Sequence, residues 1–77
     1  MLNGQKSLNN FYNSVKYRDP LWAVVMADDI IEVALNALND DKSAGQAAAE
    51  RLRLSARDLP EVLRRVLESA LTDLGYS

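Results

Sequence analysis

Three carboxylates lie close together in the sequence and could serve as metal ligands. Asp28, Asp29 and Glu32 fall within about one turn of an expected helix, and oxygen ligands of this kind bind magnesium or calcium. Calcium-binding loops also need alternating oxygen ligands and a glycine at a tight turn, and this segment has neither. The three residues occupy the polar arc of an otherwise apolar helix, so we expect a solvated face and no metal site.

Two serine–lysine neighbours could in principle form a nucleophile: Ser14 with Lys16, and Ser43 with Lys42. Such a pair requires a desolvated lysine and an oxyanion hole. Both lysines are expected on exposed faces, and the three glycines are too far apart to form a phosphate-binding or oxyanion loop. The chain also has no histidine and no cysteine, the side chains most often used as general bases, metal ligands and thiol nucleophiles. We therefore expect no enzyme, no cofactor and no small-molecule substrate.

Length and charge narrow the remaining functions. A chain of 77 residues forms one domain. Its longest apolar run is much shorter than a membrane span requires, and two aspartates end it, so we expect a cytoplasmic protein without membrane contact. Because the net charge is −2, no general attraction for nucleic acid or anionic lipid is expected.

The periodicity of the apolar residues predicts an all-α fold, a compact bundle of four short helices. These helices are expected at about 7–17, 20–38, 44–53 and 59–74, with 1–6 as a flexible N-terminal tail and 7–77 as a single helical domain. Their boundaries follow from residues that cap helices or suit their first or last turn. These residues are Asp19 with Pro20, Ser43 with Gln46, Asp58 with Glu61 and Pro60, and Gly75.

The second helix is the central element of the expected bundle. Apolar residues cover roughly 220° of its circumference, which is too wide for a helix that packs on one side only. We expect it to be surrounded either by the other three helices or by a second chain. The apolar residues of the second and fourth helices exceed what two short partner helices can cover, which predicts a protein partner, a homodimer, or both.

Candidate contact residues follow from residue type. Tryptophan, tyrosine and arginine are enriched at the energetic centres of protein interfaces, and all three occur between residues 17 and 22, where the first helix ends and the second begins. The expected partner-binding residues are Tyr17, Arg18 and Trp22 at that end, and Leu67 and Leu71 on the fourth helix. A tryptophan at this place is more often a core anchor than an interface residue, and Tyr17 and Arg18 could equally be turn residues.

Residues 45–65 also partly match the pattern of a helix-turn-helix unit. Five apolar residues stand at the positions where this motif buries them, although Arg53 stands where glycine is usual. They are Ala49, Leu52, Leu54, Leu59 and Val62. Under this alternative the nucleic-acid contacts would come from Arg53, Arg57, Arg64 and Arg65. Pro60 counts against it, because a proline inside a recognition helix interrupts that helix.

The segment from Phe11 to Asp41 resembles the amino-terminal half of small helix-turn-helix antidote proteins of toxin–antitoxin modules. The resemblance depends on Val15, on Arg18-Asp19-Pro20, on the long apolar helix that follows, and on Asn39-Asp40-Asp41. It covers some 30 residues and transfers no functional side chain. It implies a following helix-turn-helix repressor domain and a toxin as partner.

Two functions from different classes remain. The sequence favours a small non-catalytic regulatory or inhibitory protein of bacterial, plasmid or phage type that acts through protein–protein contacts. The alternative is a dimeric helix-turn-helix transcriptional regulator, or an antitoxin-like protein, that uses residues 45–65.

Overall fold

The computed structural model describes residues 2–76, and the side chains of residues 4–76. Its elements are α1 (Leu2–Arg18), α2 (Pro20–Leu38), α3 (Lys42–Ala56) and α4 (Glu61–Asp73), and this described part of the chain has no strand. The prediction of an all-α bundle of four helices is confirmed. The molecule measures 31 × 20 × 16 Å. None of these four helices combines the length and apolar character that crossing a bilayer requires.

Helix α1 begins at Leu2, five residues before the predicted start of the first helix at residue 7, and residue 1 of the predicted tail lies outside the described residues. Two contacts position this first part of the helix. Gly4 is buried, and a Cβ added to it would lie 2.6 Å from Cδ2 of Leu74 beyond α4. Gln5 donates a hydrogen bond of 3.1 Å from Nε2 to the carbonyl oxygen of Ala34 in α2. These contacts are tertiary, and local periodicity therefore gave no sign of them.

Helix α2 has the predicted bounds because its start is encoded locally. The Asp19 carboxylate accepts a hydrogen bond of 3.2 Å from the amide of Trp22, and Pro20 occupies the first helical position. Proline suits that position because its missing N–H would have no partner within the helix. Helix α2 ends at Leu38, as expected.

Helix α3 begins two residues earlier and ends three residues later than predicted. Its N-cap is Asp41, which accepts a hydrogen bond of 3.1 Å from the amide of Ala44. The predicted capping box of Ser43 and Gln46 is therefore wrong, and Gln46 instead donates to Glu50 at 2.9 Å. Asp41 and Ser43 are both good capping residues, and the turn that precedes α3 presents the aspartate.

Helix α4 is shorter than predicted, because Leu59 and Pro60 precede it rather than form its first turn. Pro60 is the N-cap, and no side chain of the described part of the chain caps this helix, so the predicted cap at Asp58 is wrong. A residue before proline is disfavoured in the helical conformation, which keeps Leu59 in the loop. The predicted end at Gly75 is confirmed: Gly75 has a φ of 92°, and Tyr76 donates a hydrogen bond of 2.8 Å to the carbonyl of Leu71. This is a Schellman motif.

The arrangement of the four helices leaves one face of α2 without a neighbouring helix. Helix α1 packs against α4 and α2, α2 packs against α1 and α3, and α3 meets α4 only over a short distance. Within the described residues the α2 backbone does not approach that of α4, so the other three helices do not surround it. The core between the helices contains Leu8, Phe11, Val15, Ala23, Met26, Ile30, Val33, Ala48, Ala49, Leu52, Ala56, Leu59, Leu67, Ala70, Leu71 and Tyr76.

Candidate partner-binding surface

The outer face of α2 exposes six large apolar side chains, three on each side of the exposed Asp28. Each of them leaves between 53% and 80% of its surface accessible, whereas Ala23, Met26 and Val33 on the inner face are at most 1% exposed. The exposed side chains are Leu21, Val24, Val25, Ile31, Leu35 and Leu38. An exposed apolar face of this extent is at the upper end of what a typical monomeric protein exposes.

Most of these residues follow the spacing of a coiled-coil seam. Starting from Leu21, the steps along the chain are three, four, three, four and three residues, which is the heptad pattern of positions a and d. The residues at these positions, named here the α2 seam, are Leu21, Val24, Asp28, Ile31, Leu35 and Leu38. Val25 lies beside the seam at an e position. A stripe with this period is the surface that a second α-helix packs against.

The three carboxylates of α2 have different environments. Asp29 and Glu32 both form ion pairs with Arg51 of α3, with 3.5 Å between Arg51 Nε and Asp29 Oδ1. The hydrogen bond with Glu32 raises the pKa of the Arg51 guanidinium above its ordinary value. Asp28 lies on the exposed seam, and among residues 2–76 the structure contains no group of three acidic side chains arranged to hold a metal ion.

A shallow groove of about 350 Å³ adjoins the α2 seam on the side of α1. Leu8 and Tyr12 of α1 line one wall, and Ile30 and Ile31 of α2 line the other. Because Ile31 belongs to both the groove and the seam, the two form one apolar surface that is wider than the seam alone.

The predicted contact residues near the start of α2 have three different environments. Tyr17 is 95% exposed. Arg18 is also exposed, and it lines a cavity of about 280 Å³ together with Trp22 and Pro60. Trp22 itself is half-buried and packs against the core, and its buried Nε1 has no hydrogen-bond partner among the residues that the structure describes. It therefore contributes to packing inside this chain as well as to its surface.

Two predicted contact residues on α4 are not accessible to a partner. Leu67 and Leu71 are at most 1% exposed and lie in the core, so the prediction that they bind a partner is wrong. The apolar residues of α4 cover about half its circumference, and the sequence did not show which part faces inward. The structure turns Leu67, Ala70 and Leu71 toward the core and leaves Val62 exposed.

Arg53 is part of the internal structure of the protein rather than a free surface cation. Its guanidinium donates to the Glu68 carboxylate at 2.9–3.2 Å, to Glu50 at 2.7 Å and to the backbone carbonyl of Tyr76 at 2.6 Å. The hydrogen bond with Glu68 raises the pKa of Arg53 above its ordinary value. These contacts connect α3, α4 and the C-terminal segment.

The other three arginines of the nucleic-acid alternative lie along one groove between the end of α3 and α4. Arg57, Arg64 and Arg65 are exposed there. Arg64 donates a hydrogen bond of 3.1 Å to the Leu59 carbonyl, and Arg65 pairs with Glu61. The carboxylate of Glu61 lies within the same groove and reduces its attraction for phosphate.

The burial pattern of residues 45–65 matches the helix-turn-helix pattern only in part. Ala49, Leu52 and Leu59 are buried, as the motif requires. Leu54 and Val62, which the motif would also bury, are 65% and 67% exposed.

No residue of the α2 seam is among the contact residues predicted from the sequence, although the heptad spacing is present in it. Helix α2 has a second set of residues with the same alternation of three and four, and these line its inner face: Ala23, Met26, Ile30, Val33 and Ala37. Two heptad stripes on opposite sides make a helix look apolar nearly all round, so the pattern alone does not tell the inner stripe from the outer one.

Comparisons of the chain with protein-family models, with curated proteins and with solved structures give no match.

Proposed function

We propose that this protein is a small non-catalytic regulatory or inhibitory protein that acts by binding another polypeptide through the outer face of α2. The observation that carries the proposal is the exposure of six large apolar side chains on this one face.

The size of the exposed surface supports the proposal. Large aliphatic side chains at these exposures present on the order of 100 Å² each, so the face offers about 600 Å² of apolar area. This is at the upper end of the largest apolar patch on a typical monomer, which is roughly 300–600 Å² and often functional. Burying each such side chain contributes about 1.5–3 kcal/mol, which gives a partner a substantial driving force.

The heptad spacing of the exposed apolar residues indicates that the partner contributes an α-helix. A heptad stripe on a helix accommodates the side chains of another helix between its own. Charge is expected to contribute little to binding of the partner, because two of the three carboxylates of α2 are already paired with Arg51. We expect binding that changes little with salt concentration, in contrast to binding to nucleic acid, which weakens steeply as salt rises.

The experiment is an affinity capture that compares three forms of the chain as bait. The wild type and Val62→Glu are expected to retain the same bound protein, whereas Val24→Glu is expected to lose it. Val62 is the matched control, because it is the same residue type as Val24 and is exposed to almost the same degree, 67% against 70%. Equal loss with both variants, or with neither, would contradict the proposed surface.

Nuclease treatment of half of each sample distinguishes the alternative function. Protein that remains bound after treatment supports the proposal. Recovery of nucleic acid alone, with loss on Arg57→Ala or Arg64→Ala and at raised salt, would replace it with the helix-turn-helix regulator.

A further inference from the structure

We propose that the occupant of the α2 seam is the α2 seam of a second copy of this chain, packed antiparallel across a twofold axis. This inference rests on the proposed function, because it names the partner of the same surface.

The seam is complementary to itself in the antiparallel direction. Its steps read the same from either end, so an antiparallel copy places every a residue opposite a d residue. The axis then passes between Asp28 and Ile31. The facing pairs are Leu21 with Leu38 of the second copy, Val24 with Leu35, and Asp28 with Ile31.

Asp28 selects the antiparallel direction over the parallel one. In a parallel pair with the same register, the two Asp28 carboxylates would face each other across the axis, where like charges in a poorly solvated interface repel. In the antiparallel pair each Asp28 faces Ile31, and the two carboxylates are displaced by three residues, about 4.5 Å along the axis, which weakens their repulsion. A single polar residue in a heptad seam is known to determine register and orientation at a cost in stability.

The neighbouring positions allow close approach of the two helices. One flank of the seam contains Ala27 and Ala34, whose small side chains leave room for the second helix. The other flank contains Val25 and Glu32. Because the Glu32 carboxylate is paired with Arg51 of its own chain, this flank does not bring an unpaired charge into the interface.

The available area is sufficient for a dimer and indicates a weak one. Two copies that each contribute about 600 Å² bury roughly 1,200 Å², the lower limit of specific interfaces. With one Asp28 per chain partly desolvated, we expect a reversible dimer with a dissociation constant on the order of 10 μM.

Sedimentation equilibrium of the full chain tests the dimer and its interface. From about 1 μM to about 500 μM, the wild type is expected to move from the monomer mass of 8.6 kDa toward twice that value. Leu35→Glu is expected to weaken association by at least about a hundredfold, and Asp28→Leu to tighten it by at least about tenfold. Val62→Glu, a charge at an exposed valine outside the seam, is expected to leave association unchanged. Circular dichroism establishes that each variant remains folded.

Disulfide cross-linking tests the direction, and the absence of native cysteine makes it unambiguous. Leu21 and Leu38 are separated by about 25 Å along the helix, far beyond disulfide reach. A mixture of Leu21→Cys and Leu38→Cys is expected to form the mixed disulfide, and each variant alone is expected to cross-link much more slowly. Faster cross-linking of each variant with itself would overturn the antiparallel arrangement.

The outcomes separate this inference from the proposed function. A wild-type chain that stays monomeric at about 500 μM overturns the inference. If that monomer still captures another protein in a manner that Val24→Glu abolishes, the proposed function stands and the occupant is a helix of that protein. A dimer that Leu35→Glu leaves intact forms through another face and also overturns the inference. The proposed function fails only if the affinity capture also shows no bound protein that is lost with Val24→Glu.

Discussion

The side chain of Tyr76 lies directly over Gly45, so that a Cβ added to this glycine would come within 2.0 Å of the tyrosine hydroxyl oxygen and 2.3 Å of its Cζ. Gly45 lies in the first turn of α3, and Tyr76 follows the end of α4. Tyr76 is only 2% exposed, because its ring fills the space that the missing side chain leaves. This contact fixes the C-terminal segment against the start of α3.

We expect Gly45→Ala to destabilise the protein. The added methyl group displaces a buried aromatic ring, which outweighs the better helix propensity of alanine and gives a net loss of about 1–2 kcal/mol. Urea denaturation of the wild type and the variant measures this loss. In a Tyr76→Ala background the same substitution should be neutral or stabilising, and an equal loss in both backgrounds would contradict the role of the tyrosine ring.

Alkaline pH should destabilise the protein through Tyr76. Burial raises the pKa of its hydroxyl above the ordinary value, and the nearby carboxylates of Asp41 and Asp40 raise it further. The folded state therefore keeps a proton that the unfolded state loses above about pH 10. The contribution of Tyr76 to stability is therefore fully present below the pKa of the tyrosine in the unfolded chain. It is lost as the pH rises from that value toward the higher pKa of Tyr76 in the folded protein.

The measurement is the urea midpoint of the wild type and of Tyr76→Phe at pH values from about 8 to about 11. The difference between the two urea midpoints should be constant at the lower pH values. At the higher pH values it should shift in favour of the phenylalanine variant. A constant difference over the whole range would show that Tyr76 titrates alike in the folded and unfolded states.

Arg53 should matter much more to stability than Arg65. The side chain of Arg53 is 19% exposed and joins two carboxylates and a backbone carbonyl, so Arg53→Ala leaves several acceptors without a donor and should cost about 1–3 kcal/mol. Arg65 forms one i, i+4 pair with a side chain that is 78% exposed, and Arg65→Ala should cost at most about 0.5 kcal/mol. Thermal and urea unfolding compare the two variants. Equal losses of stability in the two variants would mean that water replaces the contacts of Arg53 as well as it replaces the exposed pair of Arg65 with Glu61.

Leu67 should behave as a core residue and Val62 as a surface residue, although both lie on α4. Leu67→Ala leaves a cavity in the core and should cost about 2–5 kcal/mol, whereas Val62→Ala should change stability by no more than about 0.5 kcal/mol. Urea denaturation measures both. A similar small loss for the two variants would indicate that α4 does not pack as described.

Local chemistry accounts for the parts of the fold that the sequence predicts well. Asp19 with Pro20 at the start of α2, and Gly75 after α4, set chain conformation through hydrogen bonds and dihedral angles within a few residues. Such signals do not depend on the rest of the molecule. Before α3 the sequence contains two residues suited to cap the helix, Asp41 and Ser43. In the structure the N-cap is Asp41, which accepts a hydrogen bond from the amide of Ala44.

Periodicity and capping are properties of neighbouring residues, so the four helices, their approximate places and the excess of apolar surface could be predicted before the packing was known. The packing of the helices determines which heptad stripe of α2 faces the core and which stays exposed. It likewise determines that Leu67 is buried, and that Arg53 is held by Glu68 and Tyr76. The physical reason is the same in each case: burial depends on which elements lie alongside, and those elements are distant in the chain.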